Sequence, residues 1–181
     1  MVKSKTQILR SKTIFAGKAV TLKMEKVVEP GGVRAWREIV CHPGSVVILP
    51  QLPDGNVLLV RQYRHAVRRS LWELTAGTLD PGENPLSAAK RELLEETGYL
   101  AKSWTHLFDF YPSPGLLSER MHLFEARGLE RQKARPEADE RILVKRFTRP
   151  ELRTMLRLGK VHDSKTLVGL LWMFHSSRSR G

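Results

Sequence analysis

Cysteine occurs once in these 181 residues, as Cys41, which excludes an internal disulfide and a thiolate metal cluster and points to a reducing cytoplasmic setting. Long apolar runs are also missing. No stretch approaches the roughly 18 uninterrupted apolar residues of a membrane-spanning helix, so no membrane partner is expected. The sequence has no G-x-x-x-x-G-K-[ST] loop, no H-E-x-x-H pair and no G-x-S-x-G elbow, leaving phosphate-loop, zinc-protease and serine-hydrolase chemistry without support. Internal repeats, low-complexity tracts and long linkers are absent too, and the length suits one domain with a small extension.

Acid is scarce. Thirty-one Lys and Arg face 19 Asp and Glu, a net charge of +12 that favours anionic partners by long-range attraction. The cations are dispersed (Arg64, Arg68, Arg69, Arg131, Lys145, Arg146, Arg149), as on a solvated surface, so nucleic acid is not the expected partner. The first 24 residues lack acid altogether. Their β-type runs at Thr6–Leu9, Thr13–Phe15 and Ala19–Leu22 read as folded strand rather than a targeting segment.

Strand patterns dominate the first third. Lys18–Val28 and Val33–Cys41 flank a Pro30-Gly31-Gly32 turn, and Ser45–Pro50 and Asn56–Tyr63 flank Asp54-Gly55, so each pair is expected to form a hairpin. Further strands are expected at Thr105–Tyr111, Met121–Ala126 and Ile142–Phe147, with C-terminal helices opening at Thr148-Arg149-Pro150 and at Asp163. The strongest helix signal has Asn84 as N-cap, Pro85 in the first turn and Gly98 as the stop. Strands on both sides of one internal helix, with more helix at the end, describe an α+β fold with a mixed sheet.

That internal helix carries the chemistry. At 100° per residue, Glu92, Glu95 and Glu96 fall within an arc of about 100° on one face, beside an apolar face of Leu86, Ala89 and Leu93. Their mutual repulsion is relieved by a cation, and an all-oxygen donor set suits Mg²⁺ or Mn²⁺. An ordinary solvated acidic stripe has the same helical pattern, so the flanks decide. Gly77, Glu83, Arg91, Glu92, Glu95, Glu96 and Gly98 form G-x5-E-x7-R-E-L-L-E-E-x-G. Seven fixed positions match by chance on the order of 10⁻⁹ to 10⁻⁸ per starting point.

This pattern resembles the signature box of the Nudix hydrolases, here Gly77 to Tyr99 with every fixed position filled. The resemblance implies an α/β/α sandwich with a mixed sheet. It implies hydrolysis of a nucleoside diphosphate linked to another moiety, with Mg²⁺ or Mn²⁺ held by Glu92 and Glu96, by Glu95 as a further ligand, and by the Ala76 backbone carbonyl. Arg91 would orient the acids by ion pairing and Glu83 would brace the loop. The stretches Arg37–Gly44, Gln62-Tyr63-Arg64, Trp72–Gly77 and Tyr111–Gly115, with Pro114 placed 16 residues after Gly98, resemble bacterial ADP-ribose pyrophosphatases. That narrower resemblance implies a nucleoside diphosphate sugar substrate and a homodimer, with residues 1–41 as an N-terminal strand and dimerisation region and 42–181 as the catalytic domain. Arg37 and Glu38 would reach the nucleoside from the partner subunit, while Arg64, Ser113 and Gly115 would contact substrate. The base accepting a proton from the attacking water would be Glu140, with Glu137 next and Glu95 third. Thr75 departs from the pattern, since relatives commonly have proline there.

The substrate alternatives are GDP-mannose or a broad range of nucleoside diphosphate sugars, then a 5′-pyrophosphorylated RNA end. A sensing module without turnover would normally have eroded box acids, and none is missing here.

Overall fold

A computed structural model describes residues 5–132 and 142–176. Backbone packing divides the chain into two compact units, Met1–Gly44 with Tyr111–Arg120, and Ser45–Phe110 with Met121–Gly181.

In the first unit, β1 (Gln7–Ala16), β2 (Thr21–Val28) and β3 (Arg34–Cys41) form an antiparallel sheet in sequence order. The expected hairpin around Gly31 and Gly32 is present. Both glycines have left-handed backbones (φ 89° and 85°), and Glu29 N–H donates to the Val33 carbonyl at 2.8 Å across the turn. The basic N-terminal stretch adds the third strand. Residues 111–120 also belong to this unit: Val40 N–H donates to the Leu116 carbonyl at 2.9 Å, and Ser118 N–H donates to the Val40 carbonyl at 3.0 Å.

The second unit holds β4 (Ser45–Pro50), β5 (Val57–Arg64), a 3₁₀ turn (His65–Val67), β6 (Arg69–Glu73), β7 (Ala76–Thr78), α1 (Pro85–Thr97), β8 (Tyr99–Phe110), β9 (Met121–Arg131), β10 (Leu143–Phe147), α2 (Arg149–Arg157) and α3 (Ser164–Ser176). One sheet runs β7-β4-β9-β8, with β4 parallel to β9, and the other runs β10-β5-β6.

The expected β4–β5 hairpin is overturned. The chain does turn at Asp54-Gly55, where Gly55 has φ 78° and its N–H donates to the Leu52 carbonyl at 2.9 Å. One bridge, Gln51 to Val57, follows, and then the strands part into different sheets. The physical reason is burial. All of β4 and the Val57–Val60 half of β5 are shielded from water, so each strand occupies the centre of its own sheet with partners on both edges.

Alternation along β4 sorts the core into two layers. Val46 and Ile48 pack with Ala88, Ala89 and Leu93 of α1 and with Phe124 and Ala126 of β9. Val47 and Leu49 point the other way, into a layer with Leu74, Leu123, Leu152 of α2 and Leu170 and Met173 of α3. The unit is therefore an α/β/α sandwich, as expected for the fold class. Asp163 caps α3 by accepting the Thr166 N–H at 3.0 Å, and the Thr166 hydroxyl accepts the Leu74 N–H at 2.7 Å. A Cβ built on Gly169 would overlap Leu74 Cδ1, so glycine sets how closely α3 approaches the strands. Gly169→Ala is expected to lower stability by about 1–3 kcal/mol despite alanine's better helix propensity, because fully buried Leu74 has nowhere to shift. Urea unfolding of the two proteins measures this.

Candidate active site

The acidic helix starts and stops where its sequence directs. Asn84 Oδ1 accepts the Leu86 N–H at 2.9 Å, and Gly98 closes the helix at φ 70° with its N–H on the Leu94 carbonyl. With Ala88, Ala89 and Leu93 seated on the sheet, Glu92, Glu95 and Glu96 are carried on the adjoining face.

Arg91 ties these acids to the preceding loop. Its Nε and Nη2 fork onto Glu83 at 3.1 and 3.0 Å, while Nη1 donates to Glu92 Oε1 at 2.7 Å and to Glu95 Oε2 at 3.0 Å. The bond to Glu83, followed by the charge of Glu92 and the bonds to Glu92 and Glu95, holds the guanidinium's pKa above its ordinary value against the opposing effect of burial. Glu83 is held below the usual carboxylate range, chiefly by Arg91, and it also accepts the Asp80 N–H at 3.1 Å.

The Glu92 carboxylate lies directly on the backbone of β7, where a Cβ built on Gly77 would overlap its Cδ and both oxygens. Glycine is required there by this close approach. Ala76 precedes it, paired with Val47 on β4. Thr75 comes next upstream; its carbonyl accepts the Ile48 N–H at 2.8 Å, and its buried hydroxyl has no hydrogen-bond partner among the described residues. The donors gathered here are all oxygens, the carboxylates of Glu83, Glu92, Glu95 and nearly buried Glu96, with Arg91 bonded to the first three and Arg64 within the field of the last. That charge balance and the side-chain-free cradle at Gly77 fit a hard divalent cation.

Arg64, expected to meet substrate, bonds through Nε and Nη2 to Glu73 at 3.0 and 2.8 Å. Nη1 takes part in neither bond and, among the described residues, is the nitrogen left to offer an anion. Glu73 is buried and also accepts from Lys165 Nζ at 2.5 Å, and Lys165 in turn bonds Asp163 at 2.8 Å. The bond to Glu73 and the fields of Glu73, Glu96 and Asp163 raise the Arg64 pKa. Sequence reasoning missed this Glu73–Lys165–Asp163 network. Its one signal was a lysine set among the apolar residues of α3, where only a buried counter-charge makes it tolerable.

Arg37, Glu38, Ser113 and Gly115 lie in the first unit. Arg37, on β3, forms an exposed ion pair with Glu29 at 2.7 Å, and Glu38 stands opposite Met24. The Ser113 carbonyl accepts the Leu116 and Leu117 N–H groups, and Gly115 is exposed. Glu140 and Glu137 fall outside the described residues.

Burial pushes the Glu73 carboxyl up, yet the bonds and charges of Arg64 and Lys165 outweigh it and hold the group below the usual carboxylate range. A depressed carboxylate stabilises the fold above its unfolded pKa, and that contribution disappears as pH falls through the folded pKa. Lys165→Met raises the folded pKa of Glu73. The variant is therefore expected to lose about 3 kcal/mol at neutral pH and to unfold at a higher pH on acid titration followed by circular dichroism.

Comparison with known proteins places the chain in a family. A NUDIX domain profile matches residues 42–167. An ADP-ribose pyrophosphatase of Bacillus subtilis is 38% identical over 162 residues, covering 88% of each chain. A GDP-mannose pyrophosphatase of Yersinia enterocolitica is 34% identical over 134 residues, covering 69% of this chain and 70% of its own. A crystal structure described as an ADP compounds hydrolase superposes with a TM-score of 0.84 at 24% identity, over 98% of this chain and 96% of the other, which shows the shared fold. The chain belongs to the Nudix hydrolase family, as one of its pyrophosphatases.

Proposed function

We propose that this enzyme hydrolyses the diphosphate bond of ADP-ribose or a related nucleoside diphosphate sugar, releasing a nucleoside monophosphate and a sugar phosphate. The observation that carries the reading is the Glu92 carboxylate seated on Gly77, with Arg91 holding Glu92 and Glu95 together beside Glu96. Glu92, Glu95, Glu96 and the Ala76 carbonyl would hold Mg²⁺ or Mn²⁺. Such an ion offsets the charge on diphosphate oxygens and acidifies a water. Arg64 Nη1 would bind a phosphate oxygen, its plane fixed by Glu73. Glu140 would accept the proton of the attacking water, with Glu137 and Glu95 as the next candidates, while the bridging oxygen leaves with the other phosphoryl group.

The choice of ADP-ribose is supported by the Bacillus subtilis relative, whose match spans most of both chains. GDP-mannose is the second reading, supported by the Yersinia relative. Ser113 and Gly115 would contact substrate. Arg37 and Glu38 would contact the nucleoside held by the other subunit of a homodimer formed through the N-terminal strands, whose Ile8, Leu9, Ile14 and Phe15 are exposed apolar residues suited to such burial. A free Cys41 suits the reducing cytoplasm, and among the described residues no helix is long and apolar enough to cross a membrane.

A Mg²⁺-dependent product-release panel of ADP-ribose, GDP-mannose, UDP-glucose, a dinucleoside polyphosphate and triphosphorylated RNA tests the substrate class. ADP-ribose is expected to give the highest kcat/KM, and a preference for the RNA end would overturn the assignment. Glu96→Gln is expected to reduce turnover at least about a hundredfold, the effect of losing a ligand at the reacting centre. Gly77→Ala, which displaces the Glu92 carboxylate, is expected to cost at least about tenfold while circular dichroism stays unchanged.

A further inference from the structure

A second group of potential ligands stands on β8 and β9, in the sheet that carries Gly77. His106 and Asp109 are three residues apart on β8, a spacing that places side chains on opposite faces of a regular strand. Here they share one. The register between β8 and β9 slips between His106 and Phe108, so Leu107 is an extra residue and the alternation of faces resets. His106 then stands opposite Phe124, and Asp109 opposite His122, all on the side of the sheet that packs against α1. The two imidazoles converge on one oxygen: His106 Nε2 is 2.7 Å and His122 Nδ1 is 2.8 Å from Asp109 Oδ1.

We propose that His106, Asp109 and His122 form a binding site for a borderline transition-metal ion of the Zn²⁺ class. The three donor atoms lie within 4.8 Å of one another. Ligands about 2.0–2.1 Å from a tetrahedral ion stand about 3.3 Å apart, so capture needs side-chain adjustments and no backbone movement. Two imidazoles and a carboxylate are the donor set that Zn²⁺, Co²⁺ or Ni²⁺ prefers over Mg²⁺, and three protein ligands leave a fourth position for water. His106 is half exposed while His122 and Asp109 are mostly covered, so ions can enter from solvent into a pre-packed site. The Phe124 ring, 5.2 Å from that of His106, backs it with apolar surface.

The sheet fixes the site's distance from Gly77. Gly77, Val46, His122 and Asp109 lie in one row across β7, β4, β9 and β8. Gly77 and His122 are two strand spacings apart along this row, about 10 Å between backbones, so the histidine pair stands two strands over from the glycine that seats Glu92. The chemistry of the two groups differs as well, since the helix offers only oxygen. Binding here would join the edge strand β8 to β9 through the ion, with the ring nitrogen of each histidine that faces Asp109 presenting its lone pair to the metal and the ring proton carried on the other nitrogen.

The full-length chain, stripped of metal and held in millimolar Mg²⁺ to occupy the helix acids, is titrated with Zn²⁺ by calorimetry, and with Co²⁺ by visible absorption. One equivalent of Zn²⁺ is expected, with Co²⁺ giving the intense bands of a tetrahedral site. His106→Ala, at a half-exposed position, is expected to weaken Zn²⁺ binding at least about tenfold and to remove the Co²⁺ bands. His122→Asn should do the same, whereas Glu92→Gln and Glu96→Gln should leave the Zn²⁺ equivalent in place. Failure to bind Zn²⁺, or binding that survives both histidine substitutions, would overturn the proposal. Loss of the equivalent in the glutamate variants instead would assign the ion to the helix and likewise overturn it.

Discussion

One guanidinium organises the acidic end of this protein. Three carboxylates bond to Arg91, one from the loop before α1 and two from the helix itself. Without a cation at its centre, each of these like charges would turn away from its neighbours, and the loop would lose its tie to the helix. Arg91 is planar and always charged, so it fixes both direction and spacing where lysine would supply only charge. Carboxylates held in place by Arg91 would carry a smaller ordering cost on binding a cation than acids free to move.

The second constraint is close approach. At Gly77 and Gly169 the missing side chain is what the structure uses: a carboxylate occupies the space at the first, and Leu74 at the second. Both positions serve packing across elements rather than a turn. Together they bring α1 and α3 onto opposite layers of the same sandwich at distances that any larger residue would forbid.

The helix that carries the acids was legible because its signals are local: a capping asparagine, a proline in the first turn and a terminating glycine act within a few residues of one another. The family pattern added what helical periodicity alone could not, because three glutamates on one face are common on solvated helices. The β4–β5 misreading shows where local signals stop. Asp54-Gly55 does make the turn, but which strand lies beside β4 is settled by Met121–Ala126, a partner far along the chain. The early part of β8 was also unread, since Leu100–Ser103 alternates with little apolar contrast and is held by pairing with β9. Lys165 and Glu73 are 92 residues apart, and only the fold brings their charges together.

The parting of β4 and β5 bears on how the chain folds. A nearby pairing would close quickly with little loss of entropy, whereas β4 waits for a parallel neighbour that the chain supplies only after β9 has been made. High contact order of this kind slows the search and leaves the apolar run Val46–Leu49 without its neighbour in the interim. Until β9 arrives, that bare edge is the segment most exposed to pairing with another molecule.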